Sequence, residues 1–257
     1  MSSPTPRPWI IAETNWKQVK ATRYEVAVLP WGATEAHNWH LPYATDSLQN
    51  EAICAEAGRI AWQAGAKVAV LPNIPFGVQT GQLDIPFCIN MNPSTQLAVL
   101  TDIASAIAGQ GVKKLLILNG HGGNEFRQII RELQPRVNLF ISTINWWTCV
   151  NGVDYFDEPG DHAGEMETSV MMSLAPDLLL PLSQAGPGKA KKFRLAGLRE
   201  GWAWAPRHWS SVTSDTGTGN PAKSTADKGE RFLEAVTERI GGFLVELAGA
   251  DTNNMYK

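Results

Sequence analysis

The sequence predicts an α/β fold in which helices cover the faces of a mostly parallel sheet. Three observations lead there. Apolar, strand-like runs alternate with helix-like segments along the 257-residue chain. Hydrophobic residues make up 44% of it, which at this length supports a large core and favours one domain over two small ones. The residue types that carry chemistry gather where predicted strands end, the edge at which open α/β sheets bind ligands.

The elements follow in order. YEVAVLP (24–30) reads as a buried strand and leads into a Gly- and Pro-bounded loop. A helix is expected from Asp46 through residue 65, and KVAVLPN (67–73) is a second strand. Residues 94–110 form a helix with Leu97, Leu100, Ile103 and Ile107 along one stripe. KKLLILNG (113–120) is a strand feeding straight into HGGNEFRQIIRELQ, and VNLFISTINWW (137–147) is another. A short helix is expected around EMETSVMMSLA (165–175). A long amphipathic helix runs from about Ser224 to Leu247, with Phe232, Leu233, Val236, Ile240 and Phe243 inward and a Ser-x-x-Asp capping pattern at Ser224 and Asp227. Residues 181–223, rich in Gly, Pro, Ser and Trp, carry no clear pattern and read as an excursion over the surface or over a neighbouring subunit.

Composition removes several classes of function. The formal charge of −3 argues against nucleic-acid binding, which needs a basic surplus. Cys54, Cys88 and Cys149 are odd in number and widely spaced, so they read as buried thiols in a reducing compartment. MSSPTPRPWI at the N-terminus lacks a leader-like apolar stretch, and no run of eighteen apolar residues occurs. The expectation is a soluble cytoplasmic protein. G-x-S-x-G and G-x-x-x-x-G-K-[ST] are both absent, which leaves a serine hydrolase and a P-loop without support.

What remains is a constellation of carboxylates and imidazoles. WGATEAHNWHLPYATD (31–46) places Glu35, His37, His40 and Asp46 in E-x-H-x-x-H-x5-D spacing after the first strand. Of five histidines, His37, His40, His121 and His162 all fall at strand or loop ends on one edge. In extended chain Glu35 and His37 point to the same side. Asp46 arrives from another direction, where its carboxylate can bridge two cations. Alone, Asp46 would be read as a helix cap; its neighbours favour a ligand. His121 in NGHGGN sits between glycines that permit positive φ and let backbone N–H groups approach an oxyanion. His40 ligates, orients a carboxylate or packs beside Trp39. Glu167 reads alone as an exposed helix glutamate, and beside a crevice as one more carboxylate. His208 reads as structural, and GKAKKFR (188–194) as a solvated basic stretch with a lesser reading as an anion contact. Trp146, Trp147, Trp202, Trp204 and Trp209 serve the core or an interface, or wall a pocket. Mixed imidazole and carboxylate donors suit zinc, manganese or iron.

LPWGATEAHNWHLPYATD (29–46), ILNGHGGN (117–124), HAGEMETS (162–169) and TGTGNPAKSTADKGE (216–230) together resemble the creatininase (creatinine amidohydrolase) family, in the family's order and over most of the chain. The resemblance implies a single α/β/α three-layer domain over residues 1–257, a homo-oligomer, often a hexamer, and a two-metal site. By motif position it implies Glu35, His37, Asp46 and His121 as metal ligands, Asp46 as the bridge, and His162 as the histidine that moves protons at the substrate. Creatininase proper is similar to a GHYEN pattern whose acid reaches the second metal; Gly123 holds that place here. Either Glu167 replaces that carboxylate, or the second metal is weaker, exchangeable or absent. Residues 77–95 also differ from the family's EHxxFPGT pattern, with Gln82 or a neighbour where a His is expected, which leaves the substrate open.

The resulting expectation is a metal-dependent amidohydrolase acting on a non-peptide C–N bond of a small cyclic amide or formamide through a metal-activated water. Glu35, His37, Asp46, His121 and Glu167 are the expected ligands of a divalent metal, two per subunit (Zn, Mn or Fe). His162 and Glu167 are the catalytic candidates, and His40, Gly122 and Gly123 the substrate contacts. No nucleic-acid or membrane partner is expected. The alternative is a non-catalytic sugar- or nucleotide-binding protein with a degenerate metal site.

Overall fold

The four most apolar strands stand side by side in one parallel sheet. They are β1 (Val26–Trp31), β2 (Val68–Val70), β3 (Lys114–Asn119) and β4 (Phe140–Asn145), in the order β2-β1-β3-β4. The computed structural model describes residues 6–257; residues 1–5, part of the stretch read for a leader, lie outside the described residues. The α-helices are α1 (Trp16–Ala21), α2 (Thr45–Gln63), α3 (Pro93–Gly109), α4 (Phe126–Leu133), α5 (Glu165–Leu174), α6 (Ala196–Glu200), α7 (Trp209–Val212) and α8 (Ala226–Gly249). Two short strands, β5 (Gly160–His162) and β6 (Thr218–Gly219), pair antiparallel apart from the main sheet.

Strand side chains alternate between faces, and both faces here are covered. Val26, Val28, Leu116 and Leu118 pack toward α2, α5 and α8, while Ala27, Leu29, Leu115 and Ile117 pack toward α3 and α4. The three-layer arrangement follows from that division. Phe232 of α8 anchors the first layer, with ring centroids 6.2 Å from Trp146, 5.2 Å from Tyr155 and 5.0 Å from Phe156. At the far end of α8, the buried Lys114 ammonium donates to the Ala248 carbonyl at 2.6 Å, meeting one of the acceptors a helix end leaves open.

Topology positions the site. The chain leaves β1 for β2 on one side and returns to β3 on the other, so a crevice opens beyond the carboxyl ends of β1 and β3. Trp31 and Asn119, the last residues of those strands, are register partners. Their loops therefore start at one level, side by side.

Several local expectations change. Thr225, not Ser224, caps α8, accepting from the Lys228 N–H at 3.3 Å, while the Ser224 hydroxyl donates to the Glu165 carbonyl at 3.2 Å. Leu244 takes the inward place expected for Phe243, because it continues the four-residue row from Val236 and Ile240; Phe243 is half-buried at the flank. Of the thiols, which are all free, Cys54 is buried but Cys88 and Cys149 are half-exposed. Residues 181–223 contain α6, α7 and β6 and lie over the carboxyl edge of the sheet. Among the described residues, no helix is long and apolar enough to cross a membrane. Because Phe232 is fully buried among aromatic rings, Phe232→Ala is expected to destabilise the fold by about 3–5 kcal/mol, read as a lowered urea midpoint at unchanged slope.

Candidate metal centre

Each chemical side chain reaches the crevice by a separate local device. After β1 the chain makes an excursion closed by the Glu35 N–H bonding the Tyr43 carbonyl at 3.2 Å, with a tight turn from His37 to Leu41 inside it. Asn38 adopts a positive φ of 53° in that turn, a region Asn tolerates better than most residues. Its side chain exchanges two hydrogen bonds with the backbone of Gly186, at 3.0 and 2.7 Å, which ties the turn to the long C-terminal excursion. Asp46 lies in the first turn of α2, but it does not cap: the N-cap is Ala44, without a side-chain bond. Its carboxylate is turned into the crevice.

His121 rides on a turn braced by its own asparagines. Asn119 Oδ1 accepts from the His121 N–H at 3.1 Å and from Asn124 Nδ2 at 3.0 Å. A side chain at Gly123 would run into the Val78 carbonyl oxygen and the His121 ring, so this backbone leaves no room for an acid at that position. His162 ends β5, and Glu167 lies in the first turn of α5 with its carboxylate accepting from the Ala163 N–H.

The side chains converge. Asp46 Oδ1 is 2.9 Å from His37 Nε2, and its Oδ2 is 3.1 Å from His121 Nδ1. Glu35 Oε1 is 2.9 Å from His121 Nδ1 and 3.7 Å from His162 Nδ1. His37 Nε2 is 3.8 Å from both Glu35 Oε1 and Glu167 Oε1. Three overlapping donor groups result, each compact enough for one ion: Glu35, Asp46 and His121; His37, Asp46 and Glu167; and Glu35, His37 and His162. Every inward ring nitrogen is backed by a backbone carbonyl on the other nitrogen: Glu35 for His37 at 3.1 Å, Val78 for His121 at 3.0 Å, Ala36 for His162 at 2.8 Å. Such backing holds the N–H outward and turns a lone pair to the centre, the usual arrangement behind metal-binding imidazoles. His37 Nε2 and Asp46 Oδ2 are buried with no directed hydrogen bond. The donor set thus fits divalent cations.

Electrostatics give the same picture. Burial opposes ionisation of Asp46 and Glu35, yet the facing imidazoles hold both carboxyls below their usual range. Burial likewise opposes a charged ring at His37, but Asp46, Glu167 and Glu35 push it up to about 10; His121 is raised against burial by Glu35 and Asp46. Glu167 is raised by burial, with His37 and His162 opposing. Negative charge concentrated this tightly draws protons onto the rings, and those protons would have to leave if the same residues held a divalent cation.

The pocket above this centre holds about 260 Å³ and is lined by Gly122 and Gly123, by His162 and Glu167, and on its outer side by residues 204–207 and Trp209. His40 does not line it. Its Nε2 meets the Thr168 hydroxyl at 2.9 Å, which places it behind the cluster and not on the pocket wall where a substrate contact is expected, and burial, then the neighbouring His37, pushes its pKa down to about 4. Glu167, which reads alone as an exposed glutamate, is turned inward. Trp146 belongs to the core, Trp209 stands edge-on to His162 with centroids 4.7 Å apart, and His208 is exposed with its Nδ1 near two serine hydroxyls. Gln82, which is buried, donates from Nε2 to the outer oxygen of Glu35 and accepts from the Cys88 thiol at 3.1 Å. Asp161 and Arg207 also line the pocket. In the sequence, Asp161 is marked only by its adjacency to His162, and Arg207 only by its place beside His208 and Trp209.

Comparison with known proteins follows the same lines. The family model for creatininase, described as creatinine amidohydrolase, matches residues 12–244. The chain is 43% identical to a candidate creatinine amidohydrolase from Bacteroides fragilis and superposes on its crystal structure with a TM-score of 0.92, covering 98% of this chain and 100% of that one. It is 26% identical over 200 residues to the creatinine amidohydrolase of Pseudomonas putida, spanning 66% of this chain and 73% of the relative. It is also 26% identical over 230 residues to the mycofactocin precursor peptide peptidase of Mycolicibacterium smegmatis, spanning 82% and 81%. The match over nearly the whole length, carried by a fold of the same layers, makes this chain a member of the creatininase family.

Proposed function

We propose that the protein is a metal-dependent amidohydrolase that cleaves a non-peptide C–N bond, in a cyclic amide or a formamide. One observation carries the reading: the buried Asp46 carboxylate divides its two oxygens between His37 and His121. That division is what a bridging ligand between two cations requires. Glu35, Asp46 and His121 would hold one ion, and His37, Asp46 and Glu167 the other. Glu167 then supplies the carboxylate that Gly123 cannot, which weighs against a degenerate, purely binding site.

Paired divalent cations, when bound, polarise a carbonyl and make water acidic near neutral pH. The chain's own groups do the rest. His162 keeps its Nε2 on the Ala36 carbonyl and turns Nδ1 to the centre, where it accepts a proton from water and delivers it to the leaving nitrogen. Trp209, edge-on against the His162 ring, fixes that ring's plane and keeps water from its outer side. Gly122 and Gly123 give the substrate a wall of bare backbone beside His121. His40, with Thr168, braces the back of the cluster. A peptide bond is the second reading, favoured by similarity to the mycofactocin precursor peptidase over most of both chains.

The deciding experiment is elemental analysis of protein purified without chelator, followed by turnover of a panel of cyclic amides, formamides and short peptides. Two transition-metal ions per chain and hydrolysis of a non-peptide member are expected; no metal and no turnover would leave the binding reading. Asp46→Ala should lose both ions and all hydrolysis, and full metal content with intact activity would refute the bridge. Glu167→Gln should retain one ion where the wild type holds two. His162→Ala should keep its metal while kcat falls by about 10²–10⁴-fold; loss of an ion instead would make His162 a ligand.

A further inference from the structure

A second cavity, of about 990 Å³, adjoins the pocket over the metal centre. The two spaces share Asp161 and Arg207, whose ion pair at 2.9 Å stands between them. Six residues lining the larger cavity are cationic, namely Lys189, Lys191, Lys192, Arg194, Arg199 and Arg207, against the single carboxylate of Asp161. Among the described residues, only Arg207 of these six makes an ion pair. The chain as a whole carries a formal charge of −3, so this positive charge is local and does not reflect composition.

Arg207 is half-buried and held by several contacts. Its guanidinium lies 4.6 Å from the centroid of the Trp209 ring, and that ring abuts His162. Its backbone carbonyl packs against Gly81, where any side chain would collide with it. Asp161 is held in turn by the Thr218 hydroxyl. A fixed guanidinium thus stands one aromatic ring from the imidazole assigned to proton transfer, with unpaired cations beyond it. Planar arginine forks recognise carboxylates and phosphates in two-pronged fashion, and lysines around them raise the local concentration of anions.

We propose that the substrate is an amide bearing a terminal anionic group, carboxylate or phosphate. The scissile C–N bond lies over the metal centre, and the anion is received beyond it by Arg207 and the basic cavity. The proposal rests on the hydrolase reading above. On binding, the substrate's anion shares or replaces Asp161 as the partner of Arg207, and Asp161 remains satisfied by Thr218.

The test uses pairs of formamides and cyclic amides identical at the scissile bond, one member ending in a carboxylate or phosphate and the other in a neutral carboxamide. The anionic member should be preferred in kcat/KM by at least about tenfold, with the preference shrinking as salt rises. Arg207→Met, and separately the surface variant Lys191→Glu/Lys192→Glu, should each collapse that ratio, chiefly through KM. Calorimetric titration with glutarate and with inorganic phosphate provides a readout independent of turnover. Binding that weakens in both variants supports the site, and the tighter of the two probes identifies the anion. Equal kcat/KM for charged and neutral partners, with neither probe bound, overturns the anionic subsite while leaving amide hydrolysis standing. Absence of turnover with probe binding intact sinks the hydrolase reading instead.

Discussion

The molecule is organised around one buried carboxylate. Asp46 lies in the first turn of α2, almost wholly removed from solvent, and its two oxygens face two imidazoles that arrive on different loops. A buried carboxylate is costly unless it meets opposite charge or a cation. Three carboxylates crowd this centre, so their charge is met by protons on the rings, by a proton on a carboxyl such as that of Glu167, or by a bound cation. The rest of the local structure follows from meeting that requirement. Strand ends of β1 and β3 in register bring the loops to the same level, and backbone carbonyls fix each ring's outward nitrogen.

Carbonyl backing makes the site more rigid than its loop origin implies. Glu35, Ala36 and Val78 are not chemical residues in themselves, yet their main-chain oxygens set which nitrogen of each histidine faces inward. The Val78 carbonyl serves twice. It bonds the His121 ring and occupies the space a side chain at position 123 would need. The acid that the family resemblance leads one to expect at this position therefore cannot be accommodated here without moving residues 77–79. Glu167, entering from α5, supplies a carboxylate from the opposite side of the crevice.

The long excursion of residues 181–223 is the part of the chain whose role was least legible. It has no sustained period because it buries no continuous face; its elements are short, and its backbone is anchored at points. Gly186 clasps Asn38, β6 pairs with β5, and Arg207 packs on Gly81 and Trp209. Through these anchors it closes the outer side of the pocket over the carboxylate–imidazole cluster and builds the basic cavity beside it. The basic run at 188–194, read mainly as solvated, becomes a candidate for substrate recognition only because Arg207, thirteen residues beyond it, stands at the junction of the two spaces.

The sequence by itself determined the alternation of elements, the buried strands and the set of residues gathered at one sheet edge, because apolar periodicity and strand-end position are local properties of the chain. The spacing of Glu35, His37, His40 and Asp46 drew attention to one loop, and the family resemblance added His121 from a separate strand-end turn. Only the tertiary structure decided that Glu167 turns inward, that His40 stands behind the cluster, and that Gln82 and Arg207 belong to the pocket. Those outcomes depend on which surfaces distant segments present to one another. A cap, an exposed glutamate or a solvated arginine looks the same in sequence whether or not a neighbour arrives from a hundred residues away.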